Sequence, residues 1–249
     1  MIARGAGMLV WTLLLMPVQT ILLRFDGSAK QRLPTVYWSG IAWLLGLKFR
    51  IVGKPAFDSG QSVLFISNHS SWIDIVALGS VLPGSFVAKG EIARWPGFNH
   101  VARAGRTMFI SRSRANTARE RRELASRLAD GDNLILFPEG TTSDGARVLP
   151  FHSSFLALAE LDQPPIIQPV TLVYDQMDGL PVCRRNRPMI SWYGDMDIVS
   201  HYAQLGRHNL RVTIVFDPPI DARIGRKRLS TTLERNISNR AAEIRQGRN

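Results

Sequence analysis

The chain has 249 residues, with 31 lysines and arginines against 20 aspartates and glutamates, a formal net charge of +11. A hydrophobic fraction of 45% excludes wholesale disorder and leaves enough chain for a real core. The single cysteine, Cys183, excludes a disulfide framework and a cysteine-based zinc finger. The basic balance asks for an anionic partner, which can be nucleic acid, a membrane surface or a phosphate-bearing substrate.

The first fifty residues narrow that choice. Residues 5–23 carry no charge and lie between Arg4 and Arg24, with Pro17 and Gln19 interrupting the run. A second uncharged run, 33–47, lies between Arg32 and Lys48 and holds Tyr37, Trp38 and Trp43. Fifteen residues at a helical rise fall short of a hydrocarbon core of about 30 Å. A signal peptide leaves the second run unexplained. A two-span hairpin puts Arg24, Lys30 and Arg32 outside, against the positive-inside tendency. A hairpin lying in one leaflet keeps every charge on the cytosolic side and uses the aromatics as interface anchors. That arrangement is the expectation here, with Arg4, Arg24, Lys30, Arg32, Lys48 and Arg50 meeting anionic head groups. The competing reading is a pair of core helices in a soluble protein.

Beyond residue 50, short apolar runs alternate with amphipathic stretches. Strands are expected at 62–67, 107–110, 134–137, 166–174, 189–193 and 210–216. Helices are expected at 72–78 and 117–130, the second opened by a Thr117/Glu120 capping box and closed at Gly131. In 229–245, Leu229, Leu233, Ile237, Ala241 and Ile244 fall at helical spacing. Interleaved strands and helices predict an α/β fold with a mainly parallel sheet flanked by helices. The expected organisation is a membrane-associated hairpin at 1–50, a catalytic domain at 51–220 and a basic C-terminal helix at 221–249. Ligands then belong where strands end and helices begin.

Three segments at such junctions carry chemistry. In Asn68-His69-Ser70-Ser71-Trp72-Ile73-Asp74, a His and an Asp five apart on one regular helix face about 140° away from each other. They meet only if His69 sits in the strand-to-helix turn and Asp74 in the helix. A carboxylate on one ring nitrogen then fixes the tautomer and makes the other nitrogen a base. The alternative is a capping Asn68 with an incidental histidine. In Phe137-Pro138-Glu139-Gly140-Thr141-Thr142-Ser143, a glycine and three hydroxyls follow an apolar strand, which suits a phosphate or polar head group as well as an ordinary turn. In Gly105-Arg106-Thr107-Met108-Phe109-Ile110-Ser111-Arg112, an arginine follows a short strand and can reach the same sheet edge, as can Lys89.

Taken together and in order, these blocks resemble the lysophosphatidate acyltransferases, a family of membrane-associated glycerolipid acyltransferases. The likeness runs over roughly residues 33 to 220. Asn68-His69 through Asp74 is similar to that family's NHx4D motif. Phe109 to Arg112 is similar to its second block, Phe137 to Thr141 to its third, and Gln168-Pro169-Val170 to its proline block. The resemblance implies an α/β acyltransferase domain behind a two-helix membrane motif. It implies acyl transfer from acyl-CoA or acyl carrier protein, as co-substrate and with no further cofactor, to the 2-hydroxyl of lysophosphatidate. It makes His69 and Asp74 the catalytic pair and Lys89, Arg112, Glu139, Gly140 and Thr141 acceptor-binding residues. It places the enzyme on the bacterial cytoplasmic membrane, catalytic domain to the cytosol. One stretch departs: His152-Ser153-Ser154 stands where the family often has a basic residue and then a glycine. Residues 95–98 and 106–109 also look similar to acyltransferases that complete ornithine lipids, so lyso-ornithine lipid is the alternative acceptor.

Direct transfer is the expected route, since no G-x-S-x-G elbow surrounds Ser70 or Ser71 and Cys183 lies in a basic loop away from the blocks. His100, His152, His201 and His208 are scattered singly and read as non-ligands, so no metal is expected. The non-enzyme alternative is a basic membrane or nucleic-acid module using Arg184, Arg185, Arg187, Arg223, Arg226, Lys227 and Arg228. A nucleic-acid role leaves the apolar N-terminus idle, and no nucleic-acid motif accompanies the arginines.

Overall fold

The computed structural model describes residues 1–57, 60–94, 98–110 and 117–248. Two helices open the chain, α1 (Ile2–Leu22) and α2 (Ala29–Leu45). The α/β unit follows: β1 (Leu47–Val52), β2 (Val63–Ser67), α3 (Ile73–Val81), β3 (Ser85–Lys89), α4 (Phe98–Ala104), β4 (Met108–Ile110), α5 (Thr117–Ala129) and β5 (Leu134–Leu136). It continues with β6 (Ile166–Met177), β7 (Leu180–Pro181), α6 (Ile198–Leu205), β8 (Leu210–Phe216) and α7 (Arg226–Arg245). The sheet order is β1-β8-β6-β2-β5-β3-β4, with β7 beside β6. Among the described residues every pairing is parallel except β6 with β7 and β6 with β8.

Strand β2 is buried along its whole length, and its side chains part by period two. Val63 and Phe65 enter one core with Ile73, Ala77 and Leu78 of α3 and Ile41 and Leu45 of α2. Leu64 and Ile66 enter the other, with Leu124 and Leu128 of α5 and Leu229, Leu233 and Ile237 of α7. Helices therefore cover both faces, which is what a parallel sheet buried on two sides requires. The register Ile66↔Leu136, Val87↔Leu136 and Lys89↔Ile110 brings the carboxyl ends of β2, β5, β3 and β4 to one edge. Strand β6 runs beside β2 as far as Ser67↔Val170 and then continues beyond that edge against β8.

Three expectations are corrected. The apolar run 33–47 is not helical to its end. Gly46, at φ +74°, terminates α2, and Leu47 starts the edge strand β1, so that strand begins inside segment 1–50. Residues 189–193 form no strand. Pro188 lacks an N–H and opens a single 3₁₀ turn, Arg187–Met189, after which Ile190 buries into the core. Arg4 does not point at head groups, because its guanidinium bonds to the carbonyls of Leu45, Gly206 and His208 and to Asn209 Oδ1.

The two N-terminal helices differ in kind. Helix α2 buries Ile41, Ala42 and Leu45 and packs on α3, as a core helix does. Helix α1 is long and apolar enough to cross a membrane, yet only 6% of its apolar window is buried. Leu9, Leu13 and Leu14 are each more than half exposed. The hairpin is tied to the α/β unit on both sides of its 23–28 connection. Gln31 Nε2 donates to Asp132 Oδ1 at 2.8 Å, and Gln19 Nε2 donates to Ala104 O at 2.9 Å.

Candidate active site

Strand β2 ends at Ser67, and the chain turns before α3 starts at Ile73. The turn holds His69, and the first helical turn holds Asp74. Nδ1 of His69 lies 2.9 Å from Asp74 Oδ2. The same carboxylate oxygen accepts the backbone N–H groups of Ser70 at 2.6 Å and Ser71 at 2.9 Å. Asp74 therefore ties down the turn that precedes α3 while holding the histidine. Its other oxygen accepts the Tyr174 hydroxyl at 2.8 Å. Every one of these contacts comes from a donor, so Nδ1 carries the imidazole proton and Nε2 carries the lone pair. Burial, and then the adjacent Asp74 charge, push the Tyr174 phenol well above its ordinary value and keep it a donor.

The turn is held from several sides. Asn68 does not cap α3; its amide exchanges two hydrogen bonds of 2.9 Å with the backbone of Leu172 on β6. The His69 ring stacks on Phe137, centroids 4.0 Å apart and planes within 11°. The His69 carbonyl accepts Ser143 N, and the Ser70 carbonyl accepts Trp192 N, both at 2.9 Å. Asp74 is fully buried, whereas the His69 side chain keeps 16% exposure, enough for a substrate atom to approach its edge.

Glu139 is the residue of the third block that lies nearest the His69 turn. It is 2% exposed, with Oε1 accepting His69 N at 2.6 Å and Oε2 accepting Leu149 N at 2.8 Å. Its geometry fixes the backbone of the His69 turn. Burial pushes its carboxyl up to about 8, two N–H bonds oppose the rise, Asp74 adds to it and Arg245 opposes it. Gly140 follows at φ +64°, and a Cβ there would stand 3.1 Å from Phe155. Thr141 is exposed on the surface of the same loop. Lys89 sits half-buried at the carboxyl end of β3, on the same edge. Arg112, the other expected acceptor contact, lies outside the described residues.

Ser71 is fully buried and its hydroxyl has no partner among the described residues; Ser70 is 7% exposed. Cys183 is exposed in a separate loop. No group of three histidine, cysteine, aspartate or glutamate side chains is poised for a metal among the described residues. His201 is buried on α6, where its Nδ1 accepts the Trp72 indole N–H at 2.9 Å. Near the His69 turn, an apolar cavity of about 540 Å³ starts at Gly140 and His152 and runs between the sheet and α5 past Leu136, Val87, Leu64 and Leu124.

The spacing in the sequence pointed to His69 and Asp74. Tyr174 escaped it because it is one aromatic in a buried strand a hundred residues away, brought close only by β6 outrunning β2. Leu149 escaped it because its contribution is a backbone N–H, which leaves no mark on residue type.

A carboxylate-paired histidine at the carboxyl edge of a mainly parallel sheet, beside an apolar cavity, defines an α/β enzyme working on a substrate with an apolar part. The chain belongs to the acyltransferase family: a family model described as Acyltransferase matches residues 48–173. It is 37% identical to the lyso-ornithine lipid O-acyltransferase of Brucella abortus, over 93% of this chain and 90% of that one. It is 35% identical to a 1-acyl-sn-glycerol-3-phosphate acyltransferase of Neisseria gonorrhoeae, over 64% of this chain and 62% of that one. The crystal structure of the 1-acyl-sn-glycerophosphate acyltransferase of Thermotoga maritima superposes with a TM-score of 0.61, covering 97% of each chain at 20% identity, and shows the shared fold. The protein is an O-acyltransferase, and the reading as a binding module without activity falls away.

Proposed function

We propose that the protein transfers an acyl chain from a thioester, acyl-CoA or acyl carrier protein, to the hydroxyl of lyso-ornithine lipid at a membrane surface. The His69–Asp74 contact of 2.9 Å, which leaves the Nε2 lone pair for the substrate, carries the chemistry. Nε2 takes the proton of the acceptor hydroxyl as its oxygen attacks the thioester carbonyl. The C–S bond breaks, and the thiolate leaves with the proton returned by the imidazolium, which Asp74 stabilises in between. The apolar cavity at Gly140 and His152 suits the acyl chain. Burial of Ser71 supports direct transfer over an acyl-serine route. No cofactor enters these steps beyond the donor itself.

Lyso-ornithine lipid is favoured as acceptor because relatives of that name align along almost the whole chain, one of them at 34% identity over 98% of it. Lysophosphatidate is the second reading, supported by relatives that align over 53% to 64% of the chain and by the four motif blocks. The exposed apolar side of α1 supports attachment through the hairpin. Purified full-length protein, offered each acceptor with each donor and analysed by product mass, tests the reading. An acyl product from lyso-ornithine lipid that disappears with His69→Ala is expected. Acylation of lysophosphatidate alone moves the assignment to the second reading, and acylation of neither overturns both.

A further inference from the structure

A second cavity, of about 170 Å³, lies against the Ser70 side of the catalytic turn and shares no lining residue with the apolar one. Its walls come from the end of β6, the 187–191 turn, β8 and the last turn of α7. Arg187, Arg211 and Arg245 face it, against a single lining carboxylate, Asp175. That carboxylate is already committed, with both oxygens taken by the Arg211 guanidinium. Arg187 and Arg245 have no ion-pair partner among the described residues. Arg245 is held in place by one bond, Nη1 to Ala146 O at 3.1 Å.

Arg187 and Arg245 line the same cavity and both approach one turn, the Arg187 stem at Gly145 and the Arg245 guanidinium at Ala146 O. Gly145, at φ +74°, would bring a Cβ within 2.5 Å of Ser191 Oγ and 3.3 Å of the Arg187 stem, so its missing side chain lets that turn close in. Burial, with the Arg187 charge adding to it, lowers the Arg245 value, against the opposing pull of Asp144 and Glu139. Two like charges gathered in a part-buried pocket cost free energy that an oxyanion between them offsets, and planar forks suit paired oxygens.

We propose that this cavity is an oxyanion subsite, holding a phosphate or carboxylate group of a substrate between Arg187 and Arg245. It rests on the acyltransferase reading only for the meaning of that substrate. Two sources share the chemistry: the carboxylate or phosphate of the acceptor head group, and the phosphates of the donor's phosphopantetheine arm. The cavity holds one such group and not a whole nucleotide, and Ser70 places it one residue from His69.

The test is an inorganic phosphate titration of the full chain in maltoside micelles, read by calorimetry. Saturable binding is expected, weakened about tenfold or more in Arg187→Gln and in Arg245→Gln and unchanged in His69→Ala. Arg187→Gln is the primary variant, because the Arg187 side chain carries no hydrogen bond of the fold among the described residues, whereas Arg245 anchors α7. Displacement of phosphate by lyso-ornithine lipid or lysophosphatidate assigns the subsite to the acceptor, and displacement by coenzyme A assigns it to the donor. Absence of saturable binding, or equal binding in wild type and both variants, overturns the proposal. Failure of the catalytic reading shows separately, as His69→Ala protein that still turns over.

Discussion

His69, Asp74 and Tyr174 form one chain of hydrogen bonds, and each link predicts a different loss. His69→Ala should lower turnover by about 10²–10⁴-fold in folded protein, the usual worth of a positioned base. Asp74→Asn should be comparably severe, because an amide can donate to Nδ1 and favour the wrong tautomer. Initial rates on purified variants check both, and near-normal turnover in folded His69→Ala removes the base from the mechanism. Tyr174→Phe keeps the ring packed in the core but leaves Asp74 Oδ1 without its donor. A buried acceptor left unpaired costs about 1–3 kcal/mol. Because the phenol reaches the substrate only through Asp74 and His69, kcat should fall by about tenfold while the acceptor KM barely moves. A fall confined to KM would place Tyr174 at the acceptor instead.

Glu139 makes a pH prediction of its own. Its folded value of about 8 stands above the ordinary 4.5, so the folded state holds a proton that the unfolded chain releases. Stability contributed by this group is fully present below the unfolded value and is lost as pH rises through the folded one. Between about pH 4.5 and 8 this single group should therefore lower the unfolding free energy, by an amount on the order of a few kcal/mol. Glu139→Gln removes the titration, so its denaturation midpoint should change less over that range than that of wild type. Parallel curves for the two proteins would show that Glu139 is ionised in the fold.

At the scale of elements, the exposed side of α1 is the feature that packing does not explain. Leu9, Leu13 and Leu14 touch no core, so replacing them should leave the α/β unit intact. Leu9→Lys with Leu13→Lys should unfold in detergent at the wild-type temperature yet float poorly with vesicles. Each buried leucine is worth about 1.5–3 kcal/mol to membrane attachment. Unimpaired flotation would mean that α1 does not enter the bilayer.

Elements were legible in the sequence where pattern and burial agreed. Residues 210–216 form β8 as expected, and the α7 stripe of Leu229, Leu233, Ile237, Ala241 and Ile244 is buried throughout. The Met189–Tyr193 expectation failed because β-like residue types carry no information about Pro188 starting a turn before them. Strand β1 was hidden since Leu47 closes an apolar run: Leu47-Lys48-Phe49-Arg50-Ile51 does alternate, but its start lies in the segment read as membrane hairpin, and the burial of this edge strand does not follow the alternation. At the site, contiguous spacing exposed His69 and Asp74, whereas the inward turn of Glu139 depends on two backbone N–H groups that only the folded chain supplies.

For the whole molecule the question is how the hairpin meets the bilayer. Two spans would carry residues 24–32 to the far side of the membrane. In the fold that connection lies against the α/β unit instead: Gln31 bonds to Asp132, which also takes Arg106 and Arg127, and Gln19 bonds to Ala104 O. Asp132 is nearly buried, and separating Gln31 from it across a bilayer would break a contact made where water is scarce. The proposed reaction pulls the same way, because a thioester donor from the cytosol and a lysolipid in the leaflet would both have to reach the His69 edge. The arrangement we propose, a hairpin lying in the cytosolic leaflet, would satisfy both demands, with the exposed Leu9, Leu13 and Leu14 of α1 turned to lipid while α2 packs on α3. Ser28, exposed in the connection, reports the difference. In a Cys183→Ser background, Ser28→Cys should resist a membrane-impermeant thiol reagent added to intact spheroplasts and react once the membrane is opened. Labelling from outside would mean that the hairpin crosses the bilayer and that the Gln31–Asp132 contact is absent in the membrane-bound enzyme.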